Sequence, residues 1–195
     1  MHNSISLQKE ILRKLIHFGS GFIPILVIFF GKETVLPILV IFTILFISVD
    51  FLKSKINWMI KLYKYFFQSI SRKNELYKLT GASWFLLGDV IVLIIFPENI
   101  AIFSMLLLSV SDTFAAIVGK IFGKTKIFLK SLEGTFAFFL SGLIISMFFQ
   151  DLPLSIRLFT VLTATIVEIY STKINDNLTI PIASAFVSTL GIKII

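Results

Sequence analysis

Seven apolar runs divide this chain, at residues 15–31, 35–52, 79–96, 100–119, 134–150, 154–171 and 178–195. Each is close to the roughly 17–25 residues that an α-helix needs to cross the hydrocarbon core of a bilayer. Only helices and closed barrels satisfy their backbone groups in that medium. The runs show no sustained period-2 alternation, which argues against an outer-membrane barrel. The pattern therefore predicts an all-α, polytopic transmembrane helix bundle of about seven spans, in a single domain over residues 1–195. Pro24, Pro37 and Pro181 fall inside these runs, where neighbouring helices can re-satisfy the freed backbone groups. The first run has a modest basic flank and no small-x-small cleavage site at its end, so it reads as a retained helix.

Composition narrows the function classes. Charged residues make up 15% of the chain, against about 25% in a soluble domain. An ordinary soluble globule and a disordered chain are both excluded. The chain has no Cys, which removes disulfides, thiolate-bound zinc and thiol catalysis. Its two His, at positions 2 and 17, are too few for a His-rich metal centre.

The net charge of +7 has a direction. If the runs alternate across the bilayer, fifteen Lys and Arg fall on one side, and Lys32, Arg157 and Lys193 alone fall on the other. The positive-inside rule then places the N-terminus and the basic loops in the cytoplasm. This sorting accounts for the charge, and no nucleic-acid partner is expected. In the first long basic loop, Ile56, Met59, Ile60, Tyr63, Phe66, Phe67 and Ile70 recur at helical spacing, with Lys61, Lys64 and Gln68 between them. That predicts a basic amphipathic helix over 56–70 lying in the interface, as an anchor or as a lid near a site.

Ionisable residues inside a membrane are costly and mark functional sites. Here they gather at the basic side. Asp112 lies beside a ridge of Ser111, Ala115, Gly119 and Gly123, four residues apart. Such a ridge serves close helix packing, but the carboxylate needs a cation: a Lys, or Mg²⁺ carrying nucleotide phosphates. Lys130-Ser131-Leu132-Glu133-Gly134-Thr135 opens a helix, and a helix start offers free amides and a positive dipole end to phosphate. Lys130 and Lys124 add charge, Ser131 a hydroxyl, and Gly134 a close backbone approach. Glu133 suits a metal ligand or a base, or else a helix cap. No Walker loop is present. Glu168 and Asp176 suit magnesium and proton transfer from an alcohol, while Asp176 and Asn177 also fit a helix cap. Arg13 and His17 share one helix face, with Lys14 beside them, which fits anion binding or interfacial anchoring. Asp50 is expected to pair with Lys53. Asp89, near the middle of its run, is the one residue that favours a transporter, whose sites lie near the midplane.

Taken in order, these motifs resemble a known family. They are Arg13-Lys14-x-x-His17, Ser111-Asp112-x-x-Ala115-Ala116-x-x-Gly119-x-x-x-Gly123-Lys124, Lys130-Ser131-x-Glu133-Gly134, Glu168, and Asp176-Asn177-Leu178-x-x-Pro181. Together they resemble the dolichol kinase, phytol kinase and CTP-dependent diacylglycerol kinase family, more distantly related to phosphatidate cytidylyltransferase. The resemblance implies a small polytopic enzyme using CTP and Mg²⁺ on a lipid acceptor. It implies Asp112, Glu133 and Glu168 as catalytic residues. Asp112, with Glu168 or Asp176, would hold the metal. Arg13, Lys14, His17, Gly119, Gly123, Lys124, Lys130, Ser131, Gly134 and Asn177 would bind the nucleotide or its phosphates. The expected partners are CTP, the lipid acceptor and membrane lipids, and a homodimer is compatible with the sequence. The Lys130–Gly134 motif and the short length favour the kinase branch over the cytidylyltransferases.

Overall fold

The structure, a computed structural model, describes residues 7–67, 76–171 and 175–194. Ten helices appear among them: α1 (Leu7–Gly19), α2 (Phe22–Phe30), α3 (Lys32–Leu52), α4 (Asn57–Phe67), α5 (Gly81–Ile95), α6 (Glu98–Leu106), α7 (Asp112–Ile121), α8 (Leu132–Ser146), α9 (Leu154–Tyr170) and α10 (Asp176–Ile194). A π-helical turn, Leu107–Ser111, joins α6 to α7 into one continuous rod. Two short antiparallel strands, β1 (Lys126–Ile127) and β2 (Lys130–Ser131), form a hairpin before α8. The all-α helical bundle expected from the apolar runs is observed; the hairpin was not expected.

The helices that follow the apolar runs differ in length. Four helical stretches are long and apolar enough to cross a membrane: Ile11–Phe30, Lys32–Leu52, Glu98–Ile121 and Asp176–Ile194. Helices α5 and α8 have 15 residues each, about 22 Å at 1.5 Å per residue. That is short of a hydrocarbon core of about 30 Å. Helix α9 has 17 residues. The seven apolar runs are therefore all helical, but three give shorter helices. For α5 the reason is local: Phe96 precedes Pro97 and is extended (φ −110, ψ 159), as the proline ring requires of its neighbour. The first run is also two helices, broken at Ser20-Gly21. The amphipathic helix predicted over 56–70 is α4; residues 68–70 lie outside the described residues.

The rod of α6 and α7 is the centre of the bundle. In its spanning window 72% is buried, against 22% for α3. Phe103, Met105, Leu107 and Leu108 of the rod share one buried apolar core with Leu93, Phe138 and Ile180. Around it, α7 packs on α8, α8 on α9, α9 on α10, α10 on α5 and α5 on α3. Small residues set the tightest contacts. A Cβ on Gly134 would stand 2.6 Å from the Ala115 carbonyl oxygen, and one on Gly119 would stand 2.6 Å from Ser131 Oγ. Helices α2 and α3 leave Phe29, Phe30, Ile41 and Ile44 exposed. Such largely apolar faces suit lipid, and the chain is an integral membrane protein.

Candidate active site

Asp112 stands where the rod departs from α-helical geometry, immediately after the π turn. Single π turns inside helices occur often at functional sites. The break between α1 and α2 is seated against this turn, for a Cβ on Gly21 would lie 3.1 Å from Ser109 Oγ. Two irregularities thus meet beside one carboxylate. The side chain of Lys14 donates to Asp112 Oδ2. His17 Nε2 lies 3.4 Å from the same oxygen and 3.3 Å from the Leu108 carbonyl. Phe85 packs edge-on against the His17 ring at 5.1 Å. Thr113 Oγ1 donates to the Ser109 carbonyl at 2.7 Å. Asp112 is fully buried, and its second oxygen, Oδ1, has no hydrogen-bond partner among the described residues. Buried polar atoms are nearly always paired; among the described residues the two oxygens of Asp89, buried in α5, are the other carboxylate oxygens left without a partner.

Lys130 continues the cluster from the hairpin. Its ammonium lies 2.9 Å from Glu168 Oε1 and 3.3 Å from Asp176 Oδ2. Thr135 Oγ1 donates to the other Glu168 oxygen at 3.4 Å. Burial pulls the Lys130 pKa down, but the negative charges of Asp112, Asp176 and Glu168 outweigh it and hold the ammonium above its usual range. The predicted residues Lys14, His17, Asp112, Lys130, Glu168 and Asp176 are thereby brought together from α1, α7, β2, α9 and α10.

Other predicted site residues take structural positions. Ser131 caps α8, its Oγ accepting from the Gly134 amide at 3.1 Å. The Leu132 amide donates to the Thr125 carbonyl at 2.9 Å. The Glu133 carboxylate accepts from the Lys124 and Thr125 amides at 3.0 and 3.1 Å. These amides and its own hold its pKa below the usual carboxylate range. The helix start expected to cradle phosphate is therefore already occupied by its own cap and hairpin. Gly119 and Gly123 pack against Ser131, and Gly134 against Ala115. The Lys124 side chain is exposed. Asn177 Nδ2 donates to the Gly81 carbonyl at 2.8 Å, clasping α10 to α5. Arg13 lies on the rim of a groove next to Lys14.

That groove, of about 920 Å³, has no counterpart in the sequence reading. It runs between α1, α2, α3 and α5, with apolar walls such as Leu26, Ile38, Phe42 and Leu86. Its polar residues gather mainly at one end, where Lys14, His17 and Asp176 line it. Asp50 and Thr80 form the facing rim, and Tyr63 of α4 adjoins them. Asp50 was expected to pair with Lys53, and does so at 2.7 Å.

The donor set bears on magnesium. Among the described residues no three His, Asp or Glu side chains stand together as a metal cage. Mg²⁺ on nucleotide phosphates takes only one or two protein carboxylates. Glu168 and Asp176, facing one ammonium, fit that shared arrangement.

Relatives are known. The uncharacterized protein RP860 of Rickettsia prowazekii is 33% identical over 188 residues, covering 91% of this chain and 92% of its own. The uncharacterized protein MJ1137 of Methanocaldococcus jannaschii is 33% identical, over 96% of each chain. The CTP-dependent diacylglycerol kinase 1 of Saccharomyces cerevisiae is 33% identical over 145 residues, 70% of this chain. Its namesake in Schizosaccharomyces pombe is 35% identical over 144 residues. This chain belongs to one family with RP860 and MJ1137, and is similar to the two yeast kinases. It spans 49% of the budding-yeast kinase and 65% of the fission-yeast one, but nearly all of RP860 and MJ1137. No protein-family model and no solved structure matches the chain.

Proposed function

We propose that this protein is a CTP-dependent kinase of a lipid alcohol, acting at the cytoplasmic end of the bundle. The observation that carries the reading is Asp112: a buried carboxylate with one oxygen held by Lys14 and His17 and the other open. The names of the yeast relatives favour CTP as donor and diacylglycerol as acceptor. The basic loops favour the cytoplasmic side.

In this reading the acceptor hydroxyl donates its hydrogen bond to Asp112 Oδ1. Its oxygen attacks the γ-phosphorus of CTP, the bond from that phosphorus to the bridging oxygen breaks, and CDP leaves. The hydroxyl proton passes to Asp112. Transfers of this kind have loose transition states and depend on positioning and charge neutralisation rather than on a strong base. A carboxylate already bound to an ammonium is adequate for that task. Lys14 and Lys130 supply positive charge to the transferring phosphoryl group. Glu168 and Asp176 would hold Mg²⁺, which neutralises phosphate charge when bound. Glu133, tied to the hairpin amides, has a structural role in this scheme.

The test is transfer of label from CTP to diacylglycerol, phytol, a polyprenol or phosphatidate by the purified protein in lipid nanodiscs. Label from the γ-position on an alcohol supports the kinase and names its acceptor. Label from the α-position on phosphatidate would make the protein a cytidylyltransferase and overturn the reading.

A further inference from the structure

We propose that the groove along α3 is the acceptor-lipid site, and that it takes a long hydrocarbon chain ending in a small hydroxyl-bearing head. The inference rests on the kinase reading for its chemistry and on the groove for its geometry. Lining residues run from Thr34 to Asp50 of α3. That is about 24 Å of helix at 1.5 Å per residue, most of the thickness of a hydrocarbon core. The walls are apolar over this length, and polar side chains concentrate at the end where Asp112, Lys14 and His17 meet. An occupant must therefore be a long amphiphile with a small polar end.

At the mouth, Lys14 is held by Asp112 and Asp50 by Lys53. A hydroxyl needs only one acceptor, and Asp112, whose Oδ2 is held by Lys14 and faces His17, has no partner for Oδ1 among the described residues. Ile38 and Phe42, on the groove wall, are also half-exposed on the membrane side of α3. The acceptor thus enters sideways from the bilayer, not from water.

The proposal is tested by photo-crosslinking in phosphatidylcholine nanodiscs, using a diacylglycerol analogue with a diazirine at its chain end. The crosslinks are mapped by mass spectrometry. The expected sites are Leu26, Ile38 and Phe42, with unlabelled diacylglycerol competing and added phosphatidylcholine not. A second arm uses Ile38→Trp, at a position 53% exposed, so that the change narrows the groove without overfilling the core. It should lower long-chain capture about tenfold, the effect of roughly 1.4 kcal/mol in affinity. A short-chain analogue should be captured as well as by wild type. Phytol and a polyprenol as competitors show which hydroxylated chain is preferred. Label spread equally over the outward residues Ile41 and Ile44, or displaced by phosphatidylcholine as readily as by diacylglycerol, would overturn the proposal. Competed crosslinking without phosphoryl transfer would retain the groove and remove the kinase. Transfer with scattered crosslinks would do the reverse.

Discussion

Two buried carboxylates stand at the same end of this bundle, each bound to a lysine, and they differ in what remains open. Asp50 is saturated. Its Oδ1 takes Lys53, and its Oδ2 accepts from the Thr80 amide, Thr80 Oγ1 and Ser83 Oγ at 2.6, 2.9 and 2.6 Å. Lys53 also donates to the Lys78 carbonyl and lies over the Tyr63 ring. This hub ties α3 to the start of α5 and has no capacity left for a ligand. Asp112 accepts from Lys14 and faces His17 on one oxygen only. Burial and charge are alike in the two, so neither identifies the working residue. The unfilled acceptor separates these two.

The sharpest way to break this comparison is Asp50→Ala. It strips the acceptor from Lys53, Thr80 and Ser83 together. Removing one partner of a buried pair costs about 3–5 kcal/mol, and the loss should appear in thermal unfolding in detergent. A stability close to wild type would contradict the hub. Next is Lys130→Met, which removes a charged contact worth about 1.5–3 kcal/mol. The KM for CTP should rise about tenfold or more, with Lys130→Arg recovering most of it. An unchanged KM would place the nucleotide elsewhere.

Gly134→Ala separates packing from phosphate binding. The new methyl would press on the Ala115 carbonyl, an overpacking cost of about 1–3 kcal/mol. Stability should fall in the same unfolding assay, with the KM for CTP unmoved; a KM change with intact stability would restore the glycine to the nucleotide site. The smallest effect is expected from Glu133→Gln. The folded-state pKa of Glu133 is depressed, so its contribution is full above the unfolded-state value and disappears as pH falls through the lower folded value. Unfolding midpoints of wild type and variant should therefore differ near neutrality and converge in acid, with turnover unaffected. A collapse in turnover would make Glu133 catalytic.

Much of this was legible in the residues. The apolar runs marked the helices, and Lys53 was the evident partner for Asp50. The gathering of Asp112, Glu168, Asp176 and the basic residues at one end followed from alternating the runs across a bilayer. The pairing within that cluster was not legible, because Lys14 and Asp112 are 98 residues apart and only packing joins them. The π turn was hidden too, since Leu107–Ser111 continues an apolar helix without a break residue. The bonds from the hairpin amides to Glu133 were not legible, because that hairpin has two-residue strands, too short for any periodic signal, and turns at Phe128 with φ 51. The groove lies between elements distant in sequence, so its walls read simply as lipid-facing residues.

The account turns on the open oxygen of Asp112. Its most direct test is kcat for γ-phosphate transfer from CTP by Asp112→Asn, measured per folded molecule in nanodiscs. The amide keeps the shape of the side chain but cannot take the proton. A loss of about 10²–10⁴-fold is expected, the range of a removed general base, with the KM for CTP little changed. Turnover within about twofold of wild type would contradict the assignment of this carboxylate as the group that receives the acceptor's proton.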